Sequence, residues 1–342
     1  MKLGLQLGYW SSGPPVGAVE LILAAEDLGF DSAWTAEAYG SDALTPLAWW
    51  GSQTTRIKLG TAIMQLSART PTAAAMAALT MDHLSSGRFI MGIGASGPQV
   101  VEGWYGQPYP KPLLRTREYI EVVRSTLRRE GPVVHSGEFY NLPLQGGSNL
   151  GKPLKSTVHP LRADLPIFMA AEGPKNVALA AEVADGWFPF WFSPSSDAFY
   201  RKALAEGFSA QAVANKVEKF EVACPTMVAI DDDVEAAADK IRPLIALYVG
   251  GMGSKSANFH ADVFVRMGYE DECHRIQEAF LAGDKAGANS LIPLRMVEDV
   301  ALVGPKEKIK NDLERWEETV ITTLVIGGDL NLIRTMAELV LG

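Results

Sequence analysis

The chain has 342 residues, 47% of them apolar, and carries 31 basic against 40 acidic side chains for a formal net charge of −9. That composition supplies a sizeable core for one large or two ordinary domains, and the acidic balance excludes a protein whose main business is polyanionic nucleic acid. An anionic small ligand would need a local basic site.

The opening stretch, MKLGLQLGYWSSG, lacks the apolar core of a signal peptide, and no run approaches the ~20 apolar residues of a membrane span, so a soluble cytoplasmic protein is expected. In chain order, LGLQLG from Leu3 reads as a first strand and VGAVELILAAEDLG from Val16 as a helix. The pattern then repeats: SAWTA from Ser32 with TPLAWWGSQT, and IKLGTAIM from Ile57 with PTAAAMAALTMDHLS from Pro71. RFIMGIG from Arg88 precedes a basic amphipathic helix, RTREYIEVVRSTLRRE. PIFMAA from Pro166, GWFPF from Gly186, FEVACPTMVAI from Phe220 and TTLVIG from Thr322 bring the strands to eight.

Eight strand-helix units suit a closed (β/α)8 barrel, a TIM barrel, better than an open doubly wound sheet. The expected organisation is a single barrel domain over 1–342, with insertions near 131–165 and 250–303. Functional groups then gather where strands end: at Gly8 to Trp10, Ala36 to Tyr39, Met64 to Arg69, Ala95 to Gly106, the turn at Gly173 and Phe188 to Trp191.

Between the fifth strand and its helix stands Gly173, Pro174, Lys175, Asn176. Glycine followed by proline is helix-start grammar, and free amides beside Lys175 would suit a phosphate; a plain turn with a solvated lysine is the alternative. Small residues in GIGASGPQVVEGWYGQP, from Gly92, allow either a close ligand approach or a structural turn. Tyr9, Trp10, Trp104, Tyr105, Phe190 and Trp191 could flank a flat ring, whereas Trp187 reads as core. Glu37 is the one acid at an early strand end, and a solvated loop acid is its plain reading. His83 falls on the opposite face, and the other four histidines lie in the insertions, which disfavours a histidine-based hydrolase. Strand ends without His and Asp clusters argue against a metal site, and Cys224 and Cys273 read as free or buried thiols.

Taken together, LGTAIMQLSARTP (59–71), DHLSSGRFIMGIGASGPQVVEGWYG (82–106), SGEFYNLP (136–143), AAEGPKNVALAAEVADGW (170–187) and VALVGPKEKI (300–309) carry a resemblance over nearly the whole chain. The sequence resembles the luciferase-like monooxygenase superfamily, in particular its coenzyme F420-dependent oxidoreductase branch. The resemblance implies a flavin or deazaflavin in the barrel mouth and a homodimer. The cofactor phosphate would rest on Gly173, Pro174, Lys175 and Asn176, with Ser96 and Gly97 lining the same groove. It also implies a non-prolyl cis peptide between Ala62 and Ile63, before Met64 in a strand-three bulge, pressed against the central ring of the cofactor. Many relatives place an acid followed by histidine after strand two; here Glu37 stands for the acid and nothing matches the histidine. Glu102 and Tyr39 are the remaining candidates for the proton donor.

The resulting expectation is hydride transfer between C5 of F420 and a small apolar or ring-containing substrate. An FMN-dependent monooxygenase and a non-catalytic flavin-binding protein are the alternatives. Lys152, Lys155 and Arg162, against the single acid Asp164, suggest a basic track for the acidic F420 tail.

Overall fold

The computed structural model of the protein describes residues 1–210, 217–253 and 258–342. Among them, eight parallel strands close a barrel: β1 (Lys2–Gln6), β2 (Ser32–Thr35), β3 (Lys58–Thr61), β4 (Phe89–Gly94), β5 (Ile167–Ala170), β6 (Gly186–Phe188), β7 (Glu221–Pro225) and β8 (Thr323–Ile326). Neighbours pair in chain order, and β8 returns to β1 with Thr323 opposite Lys2. The chain therefore folds as a (β/α)8 barrel. Its first helices are α1 (Ala18–Asp27), α2 (Leu44–Gly51), α3 (Pro71–Leu84), α4 (Pro98–Gly103), α5 (Pro112–Arg128), α6 (Pro174–Val183) and α7 (Asp197–Ser209). Local grammar starts them: the Thr70 hydroxyl accepts from the Ala73 amide at 3.4 Å, and Pro71 occupies a first-turn position of α3 where no donor is needed.

Alternation along the strands separates two layers of core. Leu3, Leu5, Met91, Ile167 and Leu324 face the helices, while Trp34, Ile90, Phe168, Phe188, Ala223 and Val325 fill the barrel interior. The Trp34 ring stands edge-on to Phe188 at 4.7 Å and lies 5.9 Å from Phe168. It fits because β3 supplies Gly60, where a Cβ would lie 2.0 Å from the indole. Each such side chain contributes about 1.5–3 kcal/mol by burial.

The first excursion leaves α5 and runs as a hairpin, His135–Ser136 against Asn141–Leu142, beside that helix. Glu118 on α5 anchors it. Its carboxylate accepts the amides of Glu138 at 2.8 Å, Phe139 at 2.8 Å and Tyr140 at 3.1 Å. Burial alone would raise this carboxyl, but those amides, aided by His135, hold it below its ordinary value of 4.5. A depressed folded value means the stabilisation is present above the ordinary carboxylate range and disappears as pH falls through the folded value. Glu118→Gln is therefore expected to lose about 1–3 kcal/mol near neutral pH, with the difference from the parent shrinking toward acid. Urea unfolding of both proteins at neutral and acidic pH checks this, and a pH-independent difference would reject the carboxylate role.

The second excursion begins earlier than the sequence suggests. FEVACPTMVAI is two strands rather than one: β7 ends at Pro225, and Met227–Ile230 pairs outside the barrel with Ala301–Gly304. Between them run α8 (Val234–Asp239), α9 (Arg242–Gly250), α10 (Phe259–Arg266), α11 (Glu270–Leu281), α12 (Lys285–Ser290) and α13 (Leu294–Glu298). This part has its own apolar cluster, including Ile245, Val249, Phe264, Ile276, Met296 and Val303. Helices α14 (Lys306–Glu317) and α15 (Leu330–Val340) complete the barrel's outer layer. No helix among the described residues is long and apolar enough to cross a membrane.

Candidate active site at the barrel mouth

The C-terminal strand ends converge as the alternation of elements predicts. After β3 the chain bends, and Met64–Gln65 rejoins β4 opposite Ile93 and Gly94. The Ala62–Ile63 peptide in that bend is cis, as the resemblance implies. Backbone bonds to the β2 end hold it: the Ala62 amide donates to Thr35 O at 2.7 Å, and the Glu37 amide donates to Ile63 O at 3.1 Å.

Glu37 locks the same bend through its side chain. Only 4% exposed, its carboxylate accepts Arg69 Nη1 at 2.9 Å on both oxygens and the Gln65 amide at 2.9 Å. Gln65 Nε2 returns a bond to Glu37 O at 3.3 Å. A carboxylate so committed suits positioning of the bend better than proton transfer. Glu102 lies exposed on α4. Met64 is buried in the helix-facing core.

Ser96 has a φ of 58° and its carbonyl accepts the Tyr109 hydroxyl at 2.8 Å, so the turn after β4 is pinned from α4's far side. Across the mouth, α6 begins with Gly173 in an extended conformation, Pro174 in its first turn and an exposed Lys175. Asn176 Oδ1 is buried without a hydrogen-bond partner among the described residues. Nothing lies within 4 Å of where a Gly173 Cβ would stand. An open approach and a free lysine at a helix N-terminus fit a phosphate group, which Asn176 would meet through its Nδ2 amide rather than through Oδ1.

The structure adds a group that sequence reasoning set aside. His260, in the second excursion, reaches the mouth: its Nδ1 lies 2.7 Å from Glu172 Oε1, directly before the α6 turn. Asn258 makes this possible. Its Nδ2 donates to Tyr248 O and Val249 O, both at 2.8 Å, while its Oδ1 caps α10 through the His260 and Ala261 amides. The imidazole is walled by Tyr248 at 4.7 Å and Phe190 at 5.8 Å, both edge-on, and by its neighbour Phe259. Burial raises the Glu172 carboxyl above its ordinary value, against the opposing pull of His260 and Arg266. The Asn258 cap was the sole local signal; which surface α10 covers was not written there.

Of the aromatic candidates, Phe190 and Tyr9 face the mouth region, with Tyr9 near Tyr248, whereas Trp104 is exposed and Trp187 is fully buried. Trp191 belongs to the cluster of the second excursion, and its Nε1 is a further buried atom without a partner among the described residues. Both cysteines are free and buried, and burial pushes each thiol up to about 12.

The basic track does not lie at the mouth. Arg162 Nη2 binds Asp82 at 2.7 Å and Phe89 O at 2.5 Å, at the start of β4, and Lys155 approaches Glu130 O below the end of α5. The physical reason is topological: a parallel β5 must start at the N-terminal face, so the chain carrying these residues has to return there. His83, whose ring contacts His159 O at 2.7 Å, belongs to the same face and is structural.

A family model described as luciferase-like monooxygenase matches residues 6–323. The chain is 53% identical, over 99% of both chains, to a Mycobacterium tuberculosis protein provisionally named a coenzyme F420-dependent oxidoreductase. Its fold superposes with a TM-score of 0.82 on the coenzyme F420-dependent tetrahydromethanopterin reductase of Methanopyrus kandleri, at 24% identity, covering 99% of this chain and 98% of that one. A TM-score of 0.78 at 18% identity, covering 99% and 98%, relates it to an F420-dependent secondary alcohol dehydrogenase solved with an F420-acetone adduct.

Proposed function

The chain belongs to the luciferase-like monooxygenase family, and from that premise we propose that it is an oxidoreductase moving a hydride between coenzyme F420 and a small organic substrate. The observation that carries the choice of F420 is the 53% identity, over 99% of both chains, to a relative named for that cofactor. Bound F420 supplies hydride chemistry at C5 of its deazaflavin ring. The protein's part is to bind and orient. Lys175, the Gly173 turn and Asn176 would hold the phosphate; Ser96 and Gly97 would line the opposite side of the groove. The Ala62–Ile63 bend and the Met64 backbone would back the ring system, with Glu37 keeping the bend in place through Arg69 and Gln65.

Titration with F420 and, separately, with FMN tests this, followed by absorbance and fluorescence. F420 is expected to bind tighter, and reduced F420 to be reoxidised by substrate without oxygen uptake. Preference for FMN with oxygen consumption would replace the reading by an FMN monooxygenase, which the family description favours. Tight F420 binding without turnover of any acceptor would favour a cofactor carrier.

Lys175→Ala is expected to weaken F420 binding about tenfold, the value of one charge-assisted phosphate contact, with the melting temperature unchanged because the side chain is exposed. Unaltered affinity in a fluorescence titration would remove Lys175 from the site.

The same reading makes the protein a cytoplasmic homodimer. Its two free cysteines suit a reducing compartment, and exposed Trp49, Met76 and Leu154 supply apolar surface for association. Sedimentation as a monomer at micromolar concentration would reject the dimer.

A further inference from the structure

We propose that His260, oriented by Glu172, is the proton donor and acceptor of this site, and that the substrate is a carbonyl compound or the corresponding alcohol. The inference rests on the F420 reading above.

The pair is assembled from two distant parts of the chain. Glu172 follows β5 and immediately precedes the α6 turn; His260 comes from α10, which the second excursion lays across the mouth. Phe259 packs against Gly97, where a Cβ would lie 3.4 Å from its ring, so the start of α10 touches both walls of the groove, Phe259 on one and His260 on the other. Nδ1 sits 2.7 Å from Glu172 Oε1 as a close ion-pair contact, although neither His260 Nδ1 nor Glu172 Oε2 makes an aligned hydrogen bond among the described residues; that charge contact orients the imidazole and leaves Nε2 as the proposed working atom. The other titratable or charged groups interacting with the pair are Tyr248 from α9, Tyr200 from α7, and Asp262 and Arg266 on α10 itself, with Tyr9 and Tyr39 from the β1 and β2 loops beside Tyr248.

Hydride chemistry narrows the substrate to acceptors that must also gain a proton, a carbonyl or a conjugated C=C bond, and the carbonyl is the class proposed. A hydride added to an iminium carbon yields a neutral amine and needs no proton. A hydride added to a carbonyl carbon drives the π pair onto oxygen, which must gain a proton. In reduction, His260 gives its Nε2 proton to that oxygen and becomes neutral, with Glu172 Oε1 still beside Nδ1; the product is the alcohol, with reduced F420 as the two-electron donor. In the reverse direction neutral His260 takes the alcohol proton as the hydride leaves carbon. The position after β2 that resembles the family's acid-histidine pair holds no histidine here, and Glu37 is committed to Arg69.

The test uses the full chain, His260→Asn and Glu172→Gln. In a crystal structure of the Glu172→Gln apoprotein the His260 ring is expected to leave its parental orientation, and an unchanged ring overturns the orienting role of the charge. With reduced F420 and a panel of cyclohexanone, acetophenone, acetone and benzaldehyde, single-turnover reoxidation is expected to fall at least about a hundredfold in His260→Asn and to lose its pH dependence, while F420 affinity stays within about twofold. Retained rate in His260→Asn overturns the proposal. So does a parent protein that binds F420 yet reduces none of the four carbonyls. A parent that does not bind F420 overturns the F420 reading, and this inference falls with it.

Discussion

Glu37→Ala is expected to lower stability by about 3–5 kcal/mol, the usual cost of removing one partner from a buried ion pair. The side chain is 4% exposed and Arg69 21%, so the guanidinium cannot recover its hydration in place. Its next acid, Asp42, is 3.8 Å away and already accepts the Leu44 and Thr45 amides, and the Gln65 amide would lose its acceptor as well. For a chain of this size that translates to a fall in melting temperature of about 4–7 °C. F420 affinity should fall with it, because the Glu37 amide and carboxylate hold Ile63 and Gln65, the chain leaving the Ala62–Ile63 bend. Glu37→Gln keeps an acceptor for Gln65 and should lose less. Thermal melting and cofactor titration of both variants check the argument. If Glu37→Ala melts like the parent while turnover alone is lost, Glu37 acts on the substrate rather than on the bend.

Gly92→Ala is expected to be worse, beyond about 4 kcal/mol, because no side chain can move aside to accept the methyl group. A Cβ at Gly92 would lie 1.7 Å from the Thr61 carbonyl oxygen, which is backbone. The two strands approach this closely because the Thr61 hydroxyl fills the space beside Gly92, accepting its amide at 2.9 Å and donating to its carbonyl at 2.8 Å. The collision falls one residue before the Ala62–Ile63 bend, so any strand shift that relieves it must displace the bend too. Thr61→Val, which removes the hydroxyl but keeps the shape, should cost about 1–3 kcal/mol through the unpaired Gly92 groups. Chemical denaturation of both variants measures the difference. A Gly92→Ala protein with the parent's midpoint would show that β3 and β4 do not approach this closely.

Much of this architecture was legible in the linear chain. Apolar runs such as RFIMGIG and TTLVIG are buried on both faces, so they stand out without any partner being known, and glycine or proline bounds them. The start of α6 was legible for the same local reason: Gly173 and Pro174 satisfy the backbone needs of a helix end by themselves. The Ala62–Ile63 bend came from resemblance, since neither residue type announces it.

What the sequence determined by itself was therefore the set of elements whose causes lie within a few residues: the eight strands, the helix starts and the order that closes a parallel barrel. Tertiary structure alone decided three things. It split the run from Phe220 at Thr226: Pro225 and Thr226 mark a break within the run, but which partner strand each half takes is set by contacts distant in sequence. It sent Arg162 to Asp82 at the N-terminal face, because its place depends on where β5 must begin. And it brought His260 to Glu172, 88 positions away by their numbers, through Asn258 bonding to α9 and Phe259 packing on Gly97. A helix records in its own residues that it has an apolar face, but the surface that face covers is chosen by contacts distant in sequence, and the proposed acid-base pair depends on that choice.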